Sequence, residues 1–374
     1  RRVLFRSARR LLGKEPLTLL LSAQSAQFDG NRIKADRAFQ DMLADSETRL
    51  LGLRGLFIEA QRAGDMVHAI RYADDAIAFS SKATWATEAL VEYFVAENDF
   101  DKALIAFDRG RTGFDKAKAK RIRAVILTAR ALAHESHDPE GALNNVQEAV
   151  KLSSDLVMAQ LILGRLFARR GDYRKASRHL EMAWKQAPHP ELADAYLSVR
   201  SADAARERLQ RARKLQSLHP DHFESRMIMA RAAMDAREFD LARETLKPLI
   251  ENHPTMRTCL LMAELEESDQ SHKGLMREWL QRATQAPRDE AWVGDGVVLD
   301  QWMPLSPISK KLDHVRWTKM PEAASSDRLS TILNKALRGI EHTSSRNETR
   351  GALSDAVFSI GKTSPSLLKV LHQK

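Results

Sequence analysis

Apolar side chains recur along the first 287 residues at intervals of three and four, the spacing of helices with one buried face. These apolar stretches are short, and turn signals built from glycine, asparagine or aspartate separate them. Gly30-Asn31, Gly64-Asp65 and Gly171-Asp172 are three such signals. The pattern therefore predicts short helices that are joined in pairs by tight turns.

A small residue returns at one position in the second helix of these pairs. Ala35, Ala69 and Ala103 stand 34 residues apart. The interval from Ala103 to Ala142 is longer, and Ala142 and Ala176 are again 34 residues apart. A 34-residue period is that of tetratricopeptide repeats (TPRs), which stack antiparallel helix pairs into a solenoid. The repeat indicates a protein that holds other molecules on a long surface.

The fifth predicted pair carries the TPR pattern most fully. Leu163-Gly164 comes first, then Gly171-Asp172-Tyr173, then Ala176 and Ala183, and Pro188 ends the pair. Several residues agree in register, which a single match would not show. We therefore predict an all-α, TPR-like α-α superhelix, a right-handed solenoid of about seven to nine antiparallel helix pairs, with a small irregular C-terminal cap.

The structural repeat positions are the glycines of the turns and the alanines of the second helices. They are Gly30, Ala35, Gly64, Ala69, Ala103, Ala142, Gly171, Ala176 and Ala242.

The predicted organisation has four parts. Residues 1–16 form a basic segment, and residues 17–287 form the superhelix. Residues 288–321 are rich in Trp, Gly and Pro and form the cap, with candidate strands at 297–299 and 314–317. Residues 322–374 are rich in Ser, Thr, Asn and charged side chains, which predicts a flexible tail.

The net charge of +9 is concentrated in part at the start of the chain. Arg1, Arg2, Arg6, Arg9 and Arg10 crowd this segment, and they are candidates for contact with an anionic membrane surface. A solvated, basic helix start is the alternative. Aromatic residues do not interleave with these arginines as single-stranded nucleic acid would require, so we expect no nucleic-acid partner.

Catalytic and metal-binding motifs are weak or missing. Cys259 is the only cysteine, which excludes an internal disulfide and a multi-thiolate zinc site. Gly361-Lys362-Thr363 resembles the end of a phosphate loop, but Ala356 stands where that loop needs glycine. We interpret scattered histidines such as His189 as solvated or capping, and the acids Glu266-Glu267 as solvated. The chain is therefore predicted not to be an enzyme, to bind no metal and to need no cofactor.

Longer segments carry a family resemblance. They are Leu17–Gln27, Leu51–Ala60, Trp184–Ala193, Leu260–Glu264, Ala286–Trp292 and Trp302–Pro321. On these segments the chain resembles the HemY-type TPR proteins of alphaproteobacteria, a group named for its association with haem biosynthesis. The resemblance implies N-terminal membrane helices, which this sequence lacks, ahead of a TPR array. It also implies non-catalytic partnership with late haem-pathway enzymes.

Ser306-Pro-Ile-Ser309 stands where related TPR proteins carry one Cys-Pro-x-Cys knuckle of a zinc ribbon. Because serine is a poor zinc ligand, we expect a degenerate, metal-free ribbon in this cap.

The functional hypothesis is a TPR scaffold of the bacterial inner membrane. Its concave face would bind haem-pathway enzymes and help to pass on a porphyrin; no motif supports direct haem binding, although haem needs only one or two axial ligands. We expect an anchor in the absent N-terminal segment, a soluble domain as given, and a cytoplasmic location. The alternative is a general adaptor for the assembly of envelope or lipid-pathway proteins, unrelated to haem.

Overall fold

The computed structural model describes residues 16–252, 254–269 and 273–319. The predicted basic segment, apart from its last residue, and the predicted tail lie outside these residues. Within the described part, sixteen helices form eight consecutive pairs, and a small sheet follows them. The predicted fold class, a TPR-like array of helix pairs with a small C-terminal cap, is confirmed.

We call the first helix of each pair the A helix and the second the B helix. The four pairs from the start of the chain are α1 Pro16–Phe28 with α2 Arg32–Asp41, α3 Arg49–Arg62 with α4 Met66–Phe79, α5 Thr84–Ala96 with α6 Phe100–Gly110, and α7 Lys116–His134 with α8 Pro139–Leu152. The next four are α9 Val157–Arg169 with α10 Tyr173–Gln186, α11 Pro190–Leu197 with α12 Ala205–Leu218, α13 Phe223–Asp235 with α14 Phe239–Glu251, and α15 Met256–Ser268 with α16 Lys273–Gln285.

The turn between the A and B helices is built the same way in several pairs. The side chains of Asn31, Asp65, Asp99 and Asp138 each accept the backbone N–H of the residue three positions later. Such bonds satisfy N–H groups that the first turn of a helix leaves without partners. Short polar residues directly after the turn therefore fix where the B helix begins.

Glycine suits the position just before several B helices because the backbone there is left-handed. Gly30, Gly64 and Gly171 have φ angles of 66°, 73° and 85°. Asn98 and Arg237 take the same place in the third and seventh pairs, with φ angles of 58° and 61°. The turn geometry is thus kept even where the glycine is replaced.

The chain divides into two compact units. Unit 1 contains the described residues up to Ile126 together with Lys310–Leu312. Unit 2 contains Leu127–Ser309 and the described residues from Asp313 onward. The division falls inside α7.

Alanine lets the helices of a pair approach closely within each unit. Ala35, Ala69 and Ala103 in unit 1 are fully buried, as are Ala142, Ala176 and Ala242 in unit 2. The aromatic ring of Phe39 lies where a Cβ on Gly55 would stand. Small residues on one helix therefore make room for large ones on its neighbour, which is how close-packed helices fill their shared layer.

The cap is a three-stranded antiparallel sheet in the order β2-β1-β3. Its strands are β1 Glu290–Gly294, β2 Val297–Leu299 and β3 Val315–Lys319. Asp295 and Gly296, both with positive φ, form the two-residue turn between β1 and β2. The structure shows strands at both places where the sequence suggested them, and β1 is a further strand that it did not suggest.

Helix α7 begins at Lys116 in a lysine-rich stretch. The Asp115 carboxylate accepts the backbone N–H of Lys118 at 2.9 Å, which is the geometry of a helix cap. Asp115 therefore fixes where α7 starts.

Candidate binding face on the A helices

Polar side chains bridge consecutive A helices in unit 1. Gln27 of α1 donates its side-chain N–H to Oε1 of Glu59 on α3 at 2.7 Å. Lys118 of α7 donates to Oε1 of Glu88 on α5, also at 2.7 Å. These bonds set the spacing of the A helices and place charged groups along the face that they share.

Unit 2, taken by itself, shows the same kind of bond between its A helices. Arg165 of α9 donates to Glu135, which follows α7, at 2.9 Å. Arg257 of α15 binds both carboxylate oxygens of Glu224 on α13, at 2.6 and 3.0 Å. A two-pronged guanidinium–carboxylate contact fixes orientation as well as distance. The A helices of unit 2 thus present a network of paired charges, which we call the A-helix face.

One position of this face repeats with a fixed period. Glu191, Glu224 and Arg257 are each the second residue of an A helix, and 33 residues separate one from the next. Equivalent positions of neighbouring repeats lie side by side in a solenoid. The period therefore stacks two carboxylates and one guanidinium at the starts of α11, α13 and α15.

The cap sheet is bonded to this row. Trp292 in β1 donates its indole N–H to Oε1 of Glu191 at 2.7 Å. Burial raises the pKa of the Glu191 carboxyl, an effect that the bond from Trp292 only partly offsets. A tryptophan of the cap therefore supplies the polar partner of a largely buried acid on α11.

His189 lies directly beside this bond. It is 2% exposed, and its ring centroid is 4.3 Å from that of Trp317 and 5.2 Å from that of Trp292. Its Nδ1 accepts the backbone N–H of Glu191 at 3.3 Å, so His189 caps α11. Burial, together with the charge of Arg257, lowers the pKa of His189 to about 3, and the ring is neutral at physiological pH. The capping interpretation of this histidine matches its geometry, whereas the solvated one does not.

A second set of bonds joins the start of the cap to α15. Oδ2 of Asp289 accepts the backbone N–H of Arg257 at 2.8 Å, and the carbonyl of Pro287 accepts that of Met256 at 2.9 Å. Burial raises the pKa of the Asp289 carboxyl. Asp289 thereby satisfies the first turn of α15, so the residues just before β1 act as a helix cap.

The turn between β1 and β2 lies in a hydrogen-bonded cluster with Ser306 and Ser309, the two serines that we compared with a zinc-ribbon knuckle. Asp295 accepts from the hydroxyl of Ser306 and, at 3.0 Å, from the backbone N–H of Ser309. These bonds lower the pKa of Asp295 to about 2. Across the residues that the structure describes, no three His, Cys, Asp or Glu side chains gather as a metal site would need. The Asp295 carboxylate thereby holds the loop of Ser306 and Ser309 against the turn between β1 and β2.

The thiol of Cys259 is poorly suited to nucleophilic chemistry. It is fully buried on α15, and burial raises its pKa to about 11. The thiolate is the reactive form of cysteine, so this side chain is part of the core. The A-helix face itself carries paired charges, whereas His189 and Trp292 are buried and hold the cap sheet against α11.

The predicted repeat positions lie at the A–B turns and in the cores between helices, and the structure brings none of them onto the A-helix face. Arg1, Arg2, Arg6, Arg9 and Arg10 lie outside the described residues. The interpretation of Glu266 as solvated is wrong, because Glu266 is buried and accepts hydrogen bonds from Arg243. Sequence reasoning missed Glu191, Glu224 and Arg257, although their 33-residue period was visible.

Comparison with known families supports the repeat assignment. Residues 191–257 match the sequence profile of a family described as tetratricopeptide repeat. This chain carries tetratricopeptide repeats. The matched stretch runs from Glu191 to Arg257, the first and last members of the repeated row.

One curated relative of this TPR chain is the probable magnetosome protein Mms48 of Magnetospirillum gryphiswaldense. It is 25% identical over 208 residues, which are 55% of this chain and 46% of that protein. The TPR chain thus spans less than half the length of the curated relative that it matches.

Among solved structures, the TPR chain is similar to YrrB, described as a TPR protein with an unusual peptide-binding site, at 18% identity and a TM-score of 0.33. That match covers 51% of this chain and 97% of YrrB. A tetratricopeptide repeat protein from Parabacteroides merdae is 14% identical with a TM-score of 0.32, covering 73% of this chain and 94% of that one. The P58(IPK) TPR domain is 14% identical with a TM-score of 0.24, and that match covers 72% of this chain and 97% of the P58(IPK) domain.

None of the helices in the described residues combines the length and the apolar character needed to cross a bilayer.

Proposed function

We propose that this TPR chain is a non-catalytic scaffold that holds partner proteins on its A-helix face. The observation that carries this proposal is the set of part-exposed charge pairs that join consecutive A helices of unit 2, Arg165 with Glu135 and Arg231 with Glu264. Charged groups that recur from repeat to repeat match an extended segment or a helix, which offers its own groups at regular intervals.

We further propose that the partners are enzymes of late haem biosynthesis at the bacterial inner membrane, on its cytoplasmic side. The resemblance of Leu17–Gln27, Trp184–Ala193 and Ala286–Trp292 to HemY-type proteins supports this choice. Anchoring by a segment ahead of this sequence, and transfer of a porphyrin between bound enzymes, belong to the same proposal.

Site-specific photo-crosslinking in membranes tests the face and the partner together. A photo-reactive amino acid replaces Asp194 on α11 or Asp235 on α13, which are exposed residues of A helices. Matched controls carry it at Gln210 on α12 or Glu244 on α14, exposed residues of the neighbouring B helices. We expect haem-pathway enzymes among the adducts from the A helices and not among those from the B helices.

Equal adducts from both sets of positions would overturn the assignment of the binding face. Adducts from the A helices that contain no haem-pathway enzyme would overturn the choice of partner and leave the scaffold in place. A titration of the purified chain with haem, followed by its Soret absorption, tests porphyrin transfer, since a bound haem shifts that band.

A second candidate is a general adaptor for the assembly of envelope or lipid-pathway proteins. The name of the relative Mms48 associates it with magnetosomes and not with haem synthesis, which favours this reading. Deleting the gene and measuring cellular haem and porphyrin separates the two candidates, because only the haem scaffold predicts a change in both.

A further inference from the structure

Helices α10 and α12, the B helices of two successive pairs in unit 2, carry a strong excess of positive charge. Together they contain nine Lys or Arg residues and two acids, Glu181 and Glu207. On α10, Arg174, Arg178 and Lys185 follow one another at helical spacing on the exposed side. The opposite side of the same helix is buried. The cations therefore form a row and do not encircle the helix.

The two basic helices lie side by side. Arg211 of α12 donates to the Ser177 hydroxyl of α10 at 3.4 Å, and Trp184 of α10 donates its indole N–H to the carbonyl of Leu215 at 3.2 Å. The exposed cations of both helices thus share one continuous surface. We call Arg174, Arg178, Lys185, Arg206 and Lys214 the basic B-helix surface.

Three other cations of these helices are neutralised by nearby acids. Lys175 pairs with Asp172, Arg211 with Asp203, and Arg213 with Glu238. The five residues of the basic B-helix surface are exposed and take part in no ion pair with the described part of the chain. This surface therefore carries positive charge that no described carboxylate neutralises, and an anionic partner would neutralise it.

An apolar side chain sits within the row. Met182, on the turn between Arg178 and Lys185, is 57% exposed. A long apolar side chain flanked by cations is typical of helices that lie on a membrane, where the cations meet headgroups and the apolar group enters the acyl boundary. Tyr173, the aromatic residue at the start of α10, is covered by the guanidinium of Arg200, 5.4 Å from its ring. That contact leaves less of the ring to stack on a nucleic-acid base.

We propose that the basic B-helix surface binds the anionic headgroups of a phospholipid bilayer. The B helices of this region then face the lipid while the A helices remain open to partner proteins. This contact lies in unit 2, far in sequence from the N-terminal arginines.

Vesicle sedimentation with the full chain tests this contact. The triple variant Arg174→Gln, Arg178→Gln and Arg206→Gln removes three of its charges. A matched control, Arg37→Gln, Arg71→Gln and Lys82→Gln, removes three exposed cations of unit 1. Both variants keep the N-terminal arginines and change only exposed side chains, so equal far-UV circular dichroism is expected.

On vesicles of phosphatidylglycerol and phosphatidylcholine, we expect the partition coefficient of the triple variant to fall about 100-fold, since each cation near an anionic surface contributes a factor of about five. The control should stay within about twofold of the unchanged chain. Vesicles of phosphatidylcholine alone should bind all three weakly.

Equal binding of the triple variant and the control would overturn the proposal. A duplex DNA that the unchanged chain binds more tightly than the anionic vesicles at the same salt, and that the triple variant loses, would assign the surface to nucleic acid instead. The substitution Met182→Ser supplies an independent check, because it should weaken vesicle binding without changing the net charge.

Discussion

Trp292 of β1 donates its indole N–H to the carboxylate of Glu191 on α11 at 2.7 Å, although the two residues are 101 positions apart in sequence. The substitution Trp292→Phe keeps an aromatic ring but leaves this largely buried acceptor without its partner. We expect a loss of about 1–3 kcal/mol in the free energy of unfolding, measured by urea denaturation and circular dichroism.

Glu191→Gln is the control for that bond, because the amide oxygen still accepts the indole N–H. Its loss should be smaller than that of Trp292→Phe. If the two losses were equal, the contribution of Trp292 would come from ring packing and not from the hydrogen bond.

The buried ion pair of Arg257 and Glu224 predicts that removing one charge costs more stability than removing both. Arg257→Met leaves the Glu224 carboxylate in a desolvated site without its counter-charge, and we expect a loss of about 3–5 kcal/mol. The double variant Arg257→Met with Glu224→Met replaces both charges by apolar groups and should recover most of that loss. Urea denaturation of the two variants gives the comparison, and a double variant no more stable than the single one would contradict it.

His189 predicts how stability depends on pH. Its pKa is lowered from 6.5 to about 3 in the folded chain, so between these values the unfolded chain takes up a proton that the folded chain does not. The contribution of His189 to the free energy of unfolding is therefore fully present above pH 6.5, and it falls as the pH decreases towards 3. Between these pH values, the free energy of unfolding changes by up to about 1.4 kcal/mol per pH unit for one such group.

The variant His189→Asn isolates this effect, since asparagine can still cap α11 but does not titrate. Glu191 and Asp289 have raised pKa values and act in the opposite direction, but they are present in both proteins. The difference in unfolding free energy between the unchanged chain and the variant should shift with pH below 6.5. A difference that stays constant from pH 7 to about pH 4 would show that His189 is accessible to protons in the folded chain.

Replacing either of two helical glycines with alanine should change stability, but in opposite directions. A Cβ on Gly52 would lie 2.7 Å from the backbone oxygen of Phe39, which cannot move aside, so Gly52→Ala should destabilise unit 1 by about 1–3 kcal/mol. Gly274, in α16, has no neighbour within 4 Å of such a Cβ. Gly274→Ala should therefore stabilise its helix by about 0.5–1 kcal/mol. Thermal denaturation followed by circular dichroism measures both shifts.

The helix pairs could be predicted from the sequence because their signals are local and repeated. Gly30 and Gly64, the caps that follow them and the alanines at a fixed interval each act within a few residues. Because the pattern repeats, the helix pair with the clearest TPR pattern showed where to look for the same residues in the weaker pairs. The eight-residue helix α11 lacks those signals, since prolines surround its start.

The first strand of the cap and the contacts of the cap with the helices could not be derived in this way. Asp289 and Glu290 look like loop residues because they are charged, but Asp289 caps α15 and Glu290 begins β1. Whether Trp292 meets Glu191 or solvent depends on how the intervening helices stack, and no short sequence pattern encodes that. The shared period of Glu191, Glu224 and Arg257 is present in the sequence, but we recognised it only once the structure showed that each begins an A helix.

A stack of repeats normally melts from its ends, because each unit touches only its neighbours. The link between Trp292 and Glu191 ties the last part of unit 2 to a helix two pairs upstream, and so closes a loop of the polypeptide. Truncating the chain before β1 would then strip partners from His189 and Glu191 as well as removing the sheet. The last three helix pairs should consequently unfold as a single cooperative block, and fraying should begin elsewhere.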